Sequence, residues 1–147
     1  MTDLVVLAHA PLASALQAVA AHAFPECAQT LQCIDVHPSE GLDEVERRLR
    51  QATSSGAPVL VLCDVFGATP CNAALRVADG SRVRAVAGVN VPMLWRVLCY
   101  AAEPLDALVV RAVDGAGQGI MQVGVSRPQN QSVQVSSHDQ VQHHHQQ

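Results

Sequence analysis

Apolar positions divide the chain into two alternating kinds of segment. Short runs dominated by Val, Leu, Ile and Ala predict buried strands at residues 4–7, 31–36, 59–63 and 83–89. In the longer segments, apolar residues recur with the spacing of one helix face. These segments predict helices at residues 11–24, 39–50, 70–78, 92–101 and 105–113.

Strands that alternate with helices predict a parallel sheet joined by right-handed crossovers. With four strands, the simplest arrangement is the flavodoxin-like order 2-1-3-4 in a three-layer α/β sandwich. Residues 120–125 are apolar enough for either a late helical turn or an edge strand, and periodicity does not decide between them.

The composition narrows the class of protein. A chain of 147 residues is long enough for one domain with a substantial core. Its formal net charge of −4 argues against a nucleic-acid partner. Five cysteines without zinc-ligand spacing or an export signal favour a cytoplasmic protein with reduced thiols. No apolar run reaches the length of a membrane span, so we expect no direct membrane insertion.

The composition changes at residue 127, after which Gln, Ser, Asn and His predominate. Such a segment has little apolar surface to bury and is typical of a disordered tail. The sequence therefore predicts one folded domain at residues 1–126 and a polar tail at residues 127–147.

Candidate chemistry is concentrated where the predicted strand at residues 59–63 ends. Asp64 follows that strand directly, and a tight loop leads to Thr69 and Pro70. Thr69 has the chemistry of a helix N-cap, and Pro70 suits the first helical position, where no N–H is needed. Because the free N–H groups of a helix N-terminus bind anions, this segment predicts an anion site beside a carboxylate.

His9, at the end of the first predicted strand, is the expected counterpart of Asp64. In the order 2-1-3-4, strands 1 and 3 are neighbours, and the strand order reverses between them. Sites in such folds form at that reversal, beyond the carboxyl ends of the strands. The topology therefore predicts that His9 and Asp64 meet at one edge of the sheet.

Four pieces of the sequence carry a resemblance to a known family. They are the first strand ending in His9, residues 64–74 (DVFGATPCNAA), residues 87–94 (AGVNVPML) and the helices between them. The second piece resembles the pattern D-x-x-G-G-[ST]-P-x-N-A and the third resembles G-x-N-[LIV]-P-M-L. Both patterns are those of the enzyme IIA component in the mannose family of the bacterial phosphoenolpyruvate-dependent sugar phosphotransferase system. The resemblance covers residues 1–125.

This resemblance implies a phosphotransferase component with a phosphohistidine intermediate. His9 would accept a phosphoryl group from the phosphocarrier protein HPr and pass it to a separate IIB domain. Asp64 would hold one ring nitrogen and fix the tautomer. A hydroxyl and backbone N–H groups of the following turn would bind the phosphoryl oxygens, without a metal or other cofactor. The residues implied for this second role are Gly67, Ala68, Thr69 and Cys71.

The resemblance also implies surroundings for the site. We expect Asn72, Asn90 and Met93 at its rim or at a dimer contact. In the family, a C-terminal strand is often exchanged across a homodimer, and residues 120–125 would form it. The sequence departs from the family at Ala68, where the second loop glycine is usual, and at Phe66, where tryptophan is frequent.

Three functions remain open at this stage. The first is a phosphorelay component for sugar uptake, and the second is a regulatory phosphorelay protein with the same His9 chemistry. Genes for the membrane IIC and IID components nearby would favour the first. The third is a flavodoxin-like module that binds a small ligand or regulatory partner without covalent chemistry. In that case His9→Ala would leave ligand binding and biological output intact.

Overall fold

The computed structural model describes residues 1–124, which form a four-stranded sheet covered by helices on both faces. All strands pair in parallel in the order β2-β1-β3-β4, so the predicted order and three-layer architecture are confirmed. The strands are β1 (Asp3–His9), β2 (Gln32–Val36), β3 (Val59–Cys63) and β4 (Val83–Ala87).

The helices divide between the two faces of the sheet. Four of them pack on one face and two on the other. The first group is α1 (Leu12–Ala23), α2 (Pro25–Thr30), α5 (Val91–Cys99) and α6 (Leu105–Gln118). The second group is α3 (Leu42–Ala52) and α4 (Thr69–Val77).

The two central strands anchor both layers of the core. In β1, Leu4 and Val6 face the first helix group, whereas Val5 and Leu7 face the second. Every residue of β3 is buried. Because each buried Val or Leu side chain stabilises the fold by about 1.5–3 kcal/mol, these strands hold the carboxyl edge of the sheet firmly in place.

Two parts of the helical layers show the largest differences from the sequence-based prediction. The first predicted helix ends before Pro25, as expected, but Pro25 then begins α2, because proline suits the first turn of a new helix. The last predicted helix ends at residue 113, whereas α6 continues through Gly115 to Gln118.

Close packing against α5 explains why α6 tolerates these glycines. A Cβ atom added at Gly115 would lie 2.8 Å from Arg96 Cβ, and one added at Gly119, just after α6, would lie 2.2 Å from Pro92 Cβ. Helix packing this close requires residues without side chains.

After α6, residues 120–124 form no strand. Their exchange across a homodimer therefore stays a prediction, and the predicted tail at residues 127–147 lies outside the described residues. Within residues 1–124, no helix has both the length and the apolar character needed to cross a membrane.

Candidate active site

His9 and Asp64 meet at the carboxyl edge of the sheet. They follow the register pair Leu7 and Cys63 on neighbouring strands β1 and β3. The ring Nδ1 of His9 lies 2.6 Å from Asp64 Oδ2, and the backbone N–H of His9 donates to the same oxygen at 2.9 Å. The other carboxylate oxygen, Oδ1, accepts from the backbone N–H of Val65 at 2.8 Å.

These contacts set the charge of the Asp64 carboxylate. Burial on its own raises the pKa of Asp64, but the backbone N–H of His9, its ring and the N–H of Val65 together hold that pKa below its usual value. Asp64 is therefore ionised at neutral pH, and its hydrogen bond with the ring requires the proton to lie on His9 Nδ1. In a neutral imidazole, a proton on Nδ1 leaves the lone pair on Nε2.

The two side chains differ in access. Asp64 is 12% exposed, whereas the His9 side chain is 50% exposed. The carboxylate is thus shielded, while the ring that it orients is open to an incoming molecule.

The loop after Asp64 turns the chain into α4. Gly67 has φ +95°, a conformation that favours glycine. Ala68 has φ −105° and ψ 172°, which is ordinary extended backbone, so alanine at this position carries no strain.

The start of α4 differs by one residue from the sequence-based prediction. Ala68, not Thr69, is the N-cap; Thr69 is the first helical residue and makes no side-chain cap hydrogen bond. Pro70 is therefore the second helical residue rather than the first. The first helical hydrogen bond of α4 is donated by the Asn72 N–H to Ala68 O at 2.9 Å. The earlier N–H groups of the turn remain the anion-binding end of the helix.

Cys71 contributes to this turn through its backbone only. Its side chain is buried against Cys63 in the core. Burial, and then the neighbouring Cys71, raises the pKa of the Cys63 thiol, so the Cys63 thiol stays protonated. Within residues 1–124, no cluster of three or more His, Cys, Asp or Glu side chains is arranged to hold a metal ion.

A second loop, after β4, is fastened to the end of β3. The Gly88 N–H donates to Asp64 O at 3.0 Å, and the Val89 N–H donates to Cys63 O at 2.9 Å. Asn90 then caps α5 by accepting from the Met93 N–H at 2.8 Å. Asn90 therefore shapes this loop as a structural residue.

Two of the predicted rim residues, Asn72 and Met93, differ in burial. Asn72 is half-buried in the first turn of α4, near the site. Met93 is only 1% exposed and belongs to the core between the sheet and α5, so its prediction as a rim residue was wrong. A methionine after a helix-starting proline cannot be assigned to rim or core from sequence, because one turn of helix presents both faces.

An exposed apolar pair that the sequence analysis did not assign to the site adjoins Asp64. Val65 is 51% exposed and Phe66 is 73% exposed. The available signal was the position of two large apolar residues in a loop between a buried strand and a helix. Adjacent exposed apolar side chains are typical of a surface that contacts another molecule.

Comparison with known proteins agrees with this geometry. A family model described as "PTS system fructose IIA component" (EIIA-man) matches residues 3–113. The chain belongs to this family. The resemblance predicted from the sequence is therefore confirmed, and the chain is an EIIA component of the mannose-type phosphotransferase family.

A curated relative supports the same assignment. The "PTS system fructose-specific EIIA component" of Bacillus subtilis (strain 168) is 31% identical over 102 residues, which are 67% of this chain and 69% of that protein.

Two solved structures share the fold of this EIIA protein. The component EIIA from Streptococcus agalactiae has a TM-score of 0.77 at 19% identity, covering 83% of this chain and 97% of that one. The mannose/sorbose specific IIA subunit from Enterococcus faecalis also has a TM-score of 0.77, at 22% identity, covering 86% and 97%.

Proposed function

We propose that this EIIA protein is a phosphohistidine carrier, in which His9 accepts a phosphoryl group from HPr and passes it to a IIB domain. The observation that carries the proposal is the 2.6 Å contact between His9 Nδ1 and Asp64 Oδ2, with the ring itself half exposed. A histidine with one nitrogen held by a largely shielded carboxylate and the other free is a prepared nucleophile.

The nucleophile in this mechanism is Nε2 of His9. Its lone pair attacks the phosphorus, a new N–P bond forms, and the bond between phosphorus and the donor atom breaks with its electron pair returning to the donor. The proton on Nδ1 stays between the ring and Asp64. The carboxylate thereby offsets the positive charge that develops on the ring.

The turn at the start of α4 is the proposed binding site for the phosphoryl oxygens. The N–H groups of Gly67, Ala68, Thr69 and Cys71, with the Thr69 hydroxyl, supply donors at a helix N-terminus. Phosphoryl transfer depends mainly on positioning and charge stabilisation, which such donors provide without a cofactor.

Transfer onward uses the same atoms in reverse. The acceptor nucleophile of the IIB domain attacks the phosphorus, and the N–P bond breaks with its electrons returning to Nε2. We place this relay in sugar uptake, because the Bacillus subtilis relative is named as a sugar-specific component of the phosphotransferase system.

The proposal is tested by mass spectrometry of the protein incubated with phosphoenolpyruvate, enzyme I and HPr. We expect one acid-labile phosphoryl group on the wild-type protein and none on His9→Ala. His22→Ala is the matched control, because His22 is an exposed histidine on α1 outside the site. Equal labelling of wild type and His9→Ala, or no labelling of either, would overturn the proposal.

A further inference from the structure

The turn that follows His9 is held from β2. The Ala10 N–H donates to Val36 O at 2.9 Å. Further along, the Ser14 N–H donates to Asp35 Oδ1 at 3.1 Å. Both ends of this short segment are therefore fastened to the last two residues of β2.

Helix α1, which begins in this segment, has no local means of capping its N-terminus. Its N-cap residue is Pro11, which has no side-chain hydroxyl, amide or carboxylate to offer, and the first turn contains no acidic residue. The first N–H groups of a helix need acceptors from elsewhere, and a negative charge is favourable there. Asp35 supplies both from the neighbouring strand.

The protonation state of Asp35 fits its role as an acceptor at the start of α1. Burial on its own raises the pKa of Asp35, but hydrogen bonds from the Ser14 side chain and from the backbone N–H groups of Ser14 and Ala13 hold that pKa below its usual value. The carboxylate is consequently ionised at neutral pH, in the form that accepts these bonds.

Asp35 is itself fixed on both sides. It lies opposite Ala8 in the parallel pair of β1 and β2. Its carbonyl oxygen accepts from Arg48 Nη1 at 3.1 Å, and the same guanidinium pairs with Glu40 at 2.7 Å. Glu40 also accepts from the His37 N–H at 3.0 Å, so the loop after β2 is closed around this contact.

From this geometry we infer that Asp35 is a positioning residue for His9. Its carboxylate holds the first turn of α1, and that turn fixes the chain leaving His9 so that the ring stays against Asp64. Asp35 touches neither the ring nor the proposed phosphoryl site, so it acts through the backbone. Only the kinetic consequence of this inference rests on the proposed function of His9.

The experiment compares Asp35→Ala, Asp35→Asn and Asp79→Ala with the wild-type protein. The asparagine keeps an oxygen that accepts from the Ser14 N–H. Asp79 is the matched control, because its carboxylate accepts from the backbone N–H groups of Ser81 and Val83 in the loop before β4, at the opposite edge of the sheet. The free energy of unfolding of each variant is measured in parallel.

Two readouts separate positioning from general stability. The first is the ¹⁵N NMR shifts of the His9 ring, which report whether the proton stays on Nδ1 and require no phosphoryl transfer. The second is the single-turnover rate of phosphorylation by phospho-HPr. We expect Asp35→Ala to mix the ring tautomers and slow phosphorylation by about 10- to 100-fold, because small misplacements of a reacting group have effects of that size.

The remaining variants decide the outcome. We expect Asp35→Asn to restore the ring shifts and most of the rate, and Asp79→Ala to leave both unchanged. Wild-type ring shifts in Asp35→Ala, equal impairment in Asp35→Asn, or the same loss in an equally destabilised Asp79→Ala would each overturn the inference. If the wild-type protein takes no phosphoryl group, the proposed function fails, while the ring shifts still decide the role of Asp35.

Discussion

Asp64 Oδ2 accepts two hydrogen bonds from the same residue, one from the ring of His9 and one from its backbone N–H. The ring and the main chain of His9 are thereby tied to a single oxygen atom. The imidazole cannot rotate away without losing a contact, so its orientation is set before any partner arrives. Such preorganisation reduces the entropy lost on reaching the reactive geometry.

Asp64→Asn tests the charge of this pair, since it keeps the shape of the side chain. We expect phosphorylation of His9 to slow by about 100-fold or more, because a neutral amide no longer fixes the reactive tautomer or stabilises the charged ring. The measurement is single-turnover labelling by phospho-HPr, with circular dichroism to verify folding. Asp79→Asn is the control, and a rate for Asp64→Asn close to wild type would exclude the orienting role.

Phe66→Ala tests the exposed apolar pair beside the site. Phe66 is 73% exposed, so we expect little change in the free energy of unfolding. If HPr covers this side chain when it docks, the apparent KM for HPr should rise by about 5-fold or more, while the maximal rate changes less. Val110→Ala, at an exposed residue of α6, is the matched control. An unchanged KM for Phe66→Ala would show that HPr does not rest on this loop.

Gly119→Ala tests the close contact of α6 with α5. A Cβ atom at this position would lie 2.2 Å from Pro92 Cβ, and the proline ring has little freedom to move aside. We expect the free energy of unfolding to fall by about 1–3 kcal/mol in urea titrations. Gly117→Ala is the control, because no atom lies within 4 Å of a Cβ added there. Equal stability of the two variants would contradict the packing.

Acidification tests the ionised state of the two half-buried aspartates, Asp35 and Asp64. The pKa values of Asp35 and Asp64 are both lowered in the folded protein. Their contribution to stability is therefore present above the unfolded-state pKa, near 4, and is lost as the pH falls through the folded-state values. We expect urea unfolding to show a steep loss of stability below about pH 4, and Asp35→Asn to reduce that pH dependence. The same slope in Asp35→Asn and wild type would contradict the lowered pKa of Asp35.

The strand order and the meeting of His9 with Asp64 were predictable because they follow from long-range rules. Continuous apolar runs identify strands that are buried on both faces, and the handedness of crossovers leaves few possible orders. Once strands 1 and 3 are neighbours, residues at their carboxyl ends must lie together. The exact start of a helix was predictable only to within one residue. The N-cap of α4 is Ala68, whereas the sequence predicted Thr69.

Contacts between elements account for what the sequence analysis missed. The burial of Met93 depends on how α5 lies on the sheet, and the extension of α6 depends on glycines facing α5. Asp35 is a polar residue inside a predicted strand, and its partner Ser14 belongs to another element. No local pattern reports such a pair, because the distance between its members exists only in the folded chain.

The half-exposed ring of His9 has a consequence for the order of events in the proposed relay. In that relay a single nitrogen receives and releases the phosphoryl group, and the ring that carries it is half exposed. HPr and the IIB domain must then bind the same surface one after the other, and the cycle includes no complex of all three proteins. Phosphoryl transfer would therefore alternate between the two partners. An excess of HPr without its phosphoryl group, or of IIB that already carries one, would slow the transfer by occupying the surface around His9.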